Sequence, residues 1–256
     1  MATVAAMVES RAAVAALRRS LPRSGPTLSI CRAPGNLSQL LRHKLVEALV
    51  VSPRAFPAGA IRTFRTEYPA IPVIAYAAFR PDDGELLVEL GESGVGTLVV
   101  EGVDDAVVGD LVLRASLSAA RRQALADAPR ALRLTEPLQL EVWNQLLARV
   151  DQPLRTDTLA RKLGVSREHL SRQFGAGGAP NLKRVIDLTR IVCASQLLAN
   201  AGYTVAVVAR ILSFASSSHL SDTARRICGA TARALPAMGP RGVLAGFVKG
   251  KTRSRM

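Results

Sequence analysis

The chain has 256 residues, 48% apolar and 21% charged, with a net charge of +14, long enough for two domains with separate cores. Nothing in it approaches the run of about 18 apolar residues that a membrane helix needs. Cys31, Cys193 and Cys228 lie far apart in apolar surroundings and show neither zinc-ligand spacing nor a disulfide framework, so they read as buried thiols of a cytoplasmic protein. The charge is uneven: residues 1–130 hold 15 Lys/Arg against 13 Asp/Glu, and residues 131–256 hold 19 against 7. So basic a half points to a polyanionic partner. Nucleic acid is favoured, because neutralising phosphates releases condensed counterions.

In chain order, residues 1–21 carry Ala, Val and Leu at helical spacing, up to the breakers Pro22, Gly25 and Pro26. Glu9 and Arg11 interrupt the apolar run and the basic cluster follows it, the reverse of a signal peptide. Strands are then expected at 27–31, 48–51, 72–76 and 96–100. They alternate with helices at 36–44, 58–67, 83–90 and a long one at 104–120. Such alternation implies an α/β fold with an open parallel sheet covered on both faces.

The runs EALVVSP, IRTFRTEYPAIPVIAYA and GESGVGTLVVEG resemble the last three strand–helix units of a response-regulator receiver domain, over about residues 27–116. The resemblance implies an aspartate phospho-acceptor after the third strand, an acidic pair holding Mg²⁺, and a Thr/Ser and a Lys at later strand ends. Here Ser52 holds the acceptor position, Ala77 the Thr/Ser position, and Val100 or Glu101 the Lys position. The acidic pair is missing, and the chain is expected to begin at the first helix, so that one strand of the fold is lacking. A receiver-like domain without aspartyl phosphorylation follows, serving as a scaffold or dimerisation unit. A sensory pocket at the carboxyl ends of the strands, near Arg54, Arg80, Asp82 and Asp83, is the alternative.

Residues 119–135 are Ala/Arg-rich and read as a linker. A helix restarts over 136–150, with Pro137 in its first turn and Leu140, Trp143, Leu147 and Val150 facing inward. Residues 155–175, RTDTLARKLGVSREHLSRQFG, read as two short helices around a tight turn. Thr156 or Asp157 caps the first, Gly164 ends it, and Ser166 caps the second. Leu170 and Phe174 face inward and Arg167, Glu168, Ser171 and Arg172 outward, the helix-turn-helix shape that fits a DNA major groove. A long helix over 181–200 follows. A second such unit has Thr204 as a cap, a turn at Ser213-Phe214, and a last helix capped by Ser216 or Ser217.

The segments LARKLGVSREHLSRQF, RIVCASQLL and VAVVARILSFASSSHLSDTARRICGAT resemble the DNA-binding domain of the AraC/XylS family, in which two helix-turn-helix units joined by a long helix enter successive major-groove segments. By position, the resemblance makes Glu168, Ser171 and Arg172 base readers in the first unit, and Ser217, Ser218 and Ser221 in the second. Arg172 suits bidentate pairing with guanine, and Glu168 suits cytosine N4 or the helix dipole. Lys162 and Arg167 read as phosphate contacts, Ser166 opens the groove-inserted helix, and Arg225 supplies charge beside the second unit. His169 and His219 read as helix-surface residues or phosphate contacts, not as ligands.

The second unit departs from the family pattern. Ser213 stands for the turn glycine, Asp222 for an arginine, Ala224 and Cys228 for core aromatics, and Ala232 for the closing proline. A thinner core and one base contact fewer are expected there. The tail, VKGKTRSRM, reads as a disordered basic arm. The expected layout is a receiver-like domain over 1–118, a linker over 119–135, an all-α double helix-turn-helix domain over 136–240 and a basic tail over 241–256. The expected function is sequence-specific transcription regulation without enzymatic activity, metal or cofactor. The partners implied are double-stranded DNA, RNA polymerase and a second copy bound through the N-terminal half, with no membrane. The alternatives are a nonspecific DNA binder and a sensor or interaction scaffold with a decayed DNA-binding half.

Overall fold

A computed structural model describes residues 2–23, 25–150 and 155–253. The chain divides into two compact units, residues 1–120 with 200–203, and residues 121–199 with 204–256. Among the described residues no helix is long and apolar enough to cross a membrane.

The first unit alternates strands and helices: β1 (Thr3–Met7), α1 (Arg11–Ser20), β2 (Thr27–Ile30), α2 (Pro34–His43), β3 (Val46–Val51), α3 (Ala58–Glu67), β4 (Val73–Ala77), α4 (Gly84–Glu92), β5 (Thr97–Val100) and α5 (Val108–Ala115). All five strands are parallel, in the order β2-β1-β3-β4-β5. That is the doubly wound order of flavodoxin-like and receiver-type sheets. One sheet face, with Val4, Ala6, Ala48, Val50, Ile74, Tyr76 and Val99, packs against α1 and α5 through Ala13, Leu17, Val108 and Val112. Gly109 permits this packing, since a Cβ there would lie 2.3 Å from the Ser20 carbonyl oxygen.

Two expectations are corrected here. The fold lacks no strand, because the first apolar run is β1, at the centre of the sheet. All five of its residues are buried, so it shows no alternation, and its alanines favour helices in isolation. The helix begins only at Ser10, whose hydroxyl accepts from the Ala13 N–H at 3.2 Å. The long helix over 104–120 is also absent as such. Asp104 accepts from the Val100 N–H at 2.8 Å and closes the turn after β5. Helix α5 then stops at Ser116, which is extended and caps the next helix, α6 (Leu117–Ala124), through the Ala119 N–H.

The second unit is helical: α7 (Ala128–Ala131), α8 (Pro137–Ala148), α9 (Thr156–Lys162), α10 (Arg167–Phe174), α11 (Leu182–Leu198), α12 (Val205–Ile211), α13 (Ser217–Cys228) and α14 (Leu235–Arg253). The stretch read as a linker is folded into it. Leu125, Ala128, Leu132 and Leu134 are buried, and so is Arg121, which donates to Gln196 Oε1 at 2.8 Å and Cys193 Sγ at 3.4 Å. The cysteines are buried free thiols, as expected.

The tail is corrected too. Residues to Arg253 are helical, and only 254–256 lie outside the described residues. Gly239, between Pro236 and Pro240, takes the one non-helical turn (φ 59°), and the helix resumes after it. Helix α14 packs along α11 and α13. It buries Val243 and Phe247 completely, and so supplies the bulk that Ala224 and Cys228 do not. Gly246 allows the approach, since a Cβ there would lie 2.7 Å from the Cys228 carbonyl oxygen.

Candidate nucleic-acid interface

Each helix-turn-helix is set by a small residue, a left-handed turn residue and a capping serine. In the first, Ala160 is buried and its carbonyl accepts from the Val165 N–H at 3.1 Å. Gly164 turns the chain at φ 66°, and Ser166 caps α10 by accepting from the His169 N–H at 3.1 Å. In the second, the Ala209 carbonyl accepts from the Phe214 N–H at 2.8 Å, Ser213 turns at φ 57°, and Ser216 accepts from the His219 N–H at 3.0 Å. The two turns thus correspond residue for residue up to Val165 and Phe214, after which the second contains one extra residue, Ala215.

The first α9 cap is a correction. Arg155 precedes the helix with no side-chain cap, and Thr156 and Asp157 lie inside its first turn. On α10, Leu170 and Phe174 are fully buried, and Arg167, Glu168, Ser171 and Arg172 are exposed on one polar surface. Arg172 makes no ion pair among the described residues, whereas Arg167 Nε lies 3.3 Å from Asp157 Oδ1 in an exposed pair. Lys162 is also exposed. Its ammonium pKa is lowered first by partial desolvation and then by the Arg149 guanidinium.

On α13 the structure brings Ser217, Ser218, Ser221 and Arg225 into one open groove of about 470 Å³, and adds Thr231 and Arg233 to its wall. Arg233 follows the recognition helix in a 3₁₀ turn, where helical spacing gave no reason to look for it. Asp222 is paired with Arg225 at 3.2 Å, so the carboxylate expected to repel phosphates also occupies the nearest guanidinium. His219 has a structural role, its Nδ1 accepting from the Ala215 N–H at 3.4 Å and its ring meeting Phe214 edge-on.

Three polar side chains that sequence spacing did not single out position these helices. Gln139 on α8 is fully buried and donates to the carbonyl oxygens of Phe174 (2.9 Å), Ala176 (3.2 Å) and Gln173 (3.3 Å). It thereby satisfies the open carbonyl end of α10. Gln139 takes the inward place expected of Leu140, which is 37% exposed. Asp187 on α11 accepts from Arg226 on α13 at 2.8 Å. Arg190 on α11 donates to the Leu212 carbonyl at 2.8 Å, and its guanidinium lies 3.7 Å from the Phe214 ring centroid. Burial lowers the Arg190 pKa, and the neighbouring Asp187 carboxylate opposes the shift. The linker helix therefore grips both the second turn and the second recognition helix.

At the carboxyl edge of the first unit, Ser52 follows β3, Ala77 ends β4 and Glu101 follows β5, the order the receiver resemblance requires. The Ser10 hydroxyl donates to the Glu101 carboxylate. β1 brings one carboxylate, Glu9, to this edge.

Residues 159–237 match the family model of a helix-turn-helix domain of the AraC type. This segment is the DNA-binding domain of a transcription regulator and contains both recognition helices. No curated protein sequence matches the chain. Among solved structures, full-length FixJ from B. japonicum is similar at 16% identity and a TM-score of 0.39, over 88% of this chain and 96% of that one. The receiver-like character of the first unit rests on its strand order and not on that likeness.

Proposed function

We infer that this chain is a sequence-specific transcription regulator that inserts α10 and α13 into successive major-groove segments on one face of DNA. The supporting observation is that both recognition helices are fixed within one compact unit, α13 by Asp187 of α11, the turn before it by Arg190, and α10 by Gln139 of α8. Two helices held this way present one spacing to the duplex, which suits groove segments about 34 Å apart. In this reading Glu168, Ser171 and Arg172 face bases from α10, and Ser217, Ser218 and Ser221 from α13. Lys162, Ser166, Arg167 and Arg225 hold phosphates. The layout stays a receiver-like domain followed by the DNA-binding domain, now without a free linker between them. The other partners are RNA polymerase and a second copy. The second copy is supported by the exposed apolar residues Val88, Leu98, Val103 and Val107 of the first unit. With Ser52 at the acceptor position, no aspartyl phosphate forms there.

Selecting bound sequences from a random duplex pool at two salt concentrations tests the reading. The expected result is one motif with two blocks of preference about one helical turn apart. Motif-free binding that only falls steeply with salt would instead mark a nonspecific DNA binder.

A further inference from the structure

A cavity of about 930 Å³ in the first unit opens at the carboxyl ends of β1, β2 and β3. It is lined by five arginines: Arg11, Arg18 and Arg19 from α1, Arg32 from after β2 and Arg54 from after β3. The only carboxylate in its wall is Glu9. Arg11 and Arg18 stand two helical turns apart on one stripe of α1, and the small Ala15 between them leaves room. Arg11, Arg18, Arg32 and Arg54 make no hydrogen bond or ion pair among the described residues. A solvated charge run occupies one face of one helix. Here guanidiniums from a helix and two separate loops converge on a concavity with one carboxylate, Glu9, among them, so the site carries an excess of positive charge that an anion would offset.

The cavity floor is apolar, with Val8, Val14, Ile30 and Ala55. Open α/β sheets bind ligands at this edge where the strand order reverses, and β1 lies between β2 and β3. The neighbouring cavity of about 320 Å³ balances Arg54 and Arg80 with Asp83 and Glu101 and so lacks the charge excess of the larger one. Residues 1–130 are close to neutral, with 15 basic against 13 acidic residues, so the arginines form a local site and not part of a duplex-binding face. A cavity this size falls in the range of small-ligand pockets, about 300–1,000 Å³.

We propose that this edge of the first unit is a binding site for an organic polyphosphate of nucleoside di- or triphosphate size. The arginine forks pair with phosphate oxygens, the bidentate geometry that guanidinium favours, and the apolar floor takes the organic moiety. The regulator would then respond to a phosphorylated metabolite in place of a phosphoryl transfer.

Calorimetric titration of the full chain with ATP and, separately, with inorganic triphosphate tests this, without Mg²⁺ and at two salt concentrations. Saturable one-to-one binding is expected, tighter for ATP than for triphosphate and weaker at high salt. Arg18→Ala and Arg32→Ala should each weaken ATP binding at least fivefold, and Arg80→Ala, outside the cavity, should leave it within twofold. All three side chains are exposed, and matching melting temperatures would show that the variants fold. The proposal is overturned by an absence of saturable binding, by triphosphate binding as tightly as ATP, or by Arg80→Ala costing as much as the other two. It is also overturned if Arg18→Ala weakens binding of a DNA duplex instead.

Discussion

Gly164 and Ser213 occupy the same place in two turns of the same design, and the comparison shows how a repeated motif diverges in role. The first helix-turn-helix has a strain-free turn, an Arg172 without an ion pair among the described residues, and a second helix held at its carboxyl end by Gln139. The second pays for a left-handed serine and couples Arg225 to Asp222. In return it is bound to the linker helix by Asp187, Arg190 and Arg226, and its core is completed by Val243 and Phe247 of α14. In the first helix-turn-helix Arg167 pairs with Asp157 and Arg172 makes no ion pair among the described residues, whereas in the second Arg225 pairs with Asp222 and Arg226 with Asp187. The core volume missing at Ala224 and Cys228 is made up within the fold by α14.

The largest effect that separates the two units comes from Asp187→Ala. It leaves buried Arg190 and half-exposed Arg226 without their carboxylate, at a cost of about 3 kcal/mol. In hydrogen exchange, α13 amides should lose protection and α10 amides should not. Equal loss in both would show that the linker helix does not hold the second unit selectively. Next is Gln139→Leu, which strands the carbonyls at the end of α10 and should cost about 2 kcal/mol in chemical denaturation. It should weaken DNA binding through the first unit alone. Ser213→Gly should raise stability by about 1 kcal/mol, since glycine takes the left-handed turn without a Cβ penalty, measured as a higher melting temperature. The smallest effect is Asp222→Asn, which frees Arg225. It should tighten duplex binding a few-fold and steepen the salt dependence by about one phosphate contact. No change in slope would mean that Arg225 does not face the backbone.

Where local chemistry decides structure, the chain was readable. Ser166, Ser216 and Thr204 cap the helices expected of them, and Leu170, Phe174, Val208 and Leu220 are buried. Trp143 is likewise a core residue. Reading failed where tertiary packing overrides local preference. β1 is an alanine-rich run that becomes a strand because two parallel neighbours flank it. Helix α14 survives proline and glycine because Gly246 allows close packing on α13. Gln139 and Arg121 are polar residues inside apolar patterns, identifiable only once their partners in other helices are known. The exposed polar face of α10 was legible because a short capped helix has only one face left for solvent. Arg233 was not, because it comes from a separate turn.

The most direct test of the division of labour measures affinity for every single-base variant of the selected site, for the parent chain, Arg172→Ala and Ser218→Ala. The account predicts that Arg172→Ala removes about 1–3 kcal/mol of discrimination at one base position, while Ser218→Ala relaxes the block under α13 by much less. Uniform weakening by Arg172→Ala, with the larger relaxation produced by Ser218→Ala, would contradict it and make the second unit the main reader.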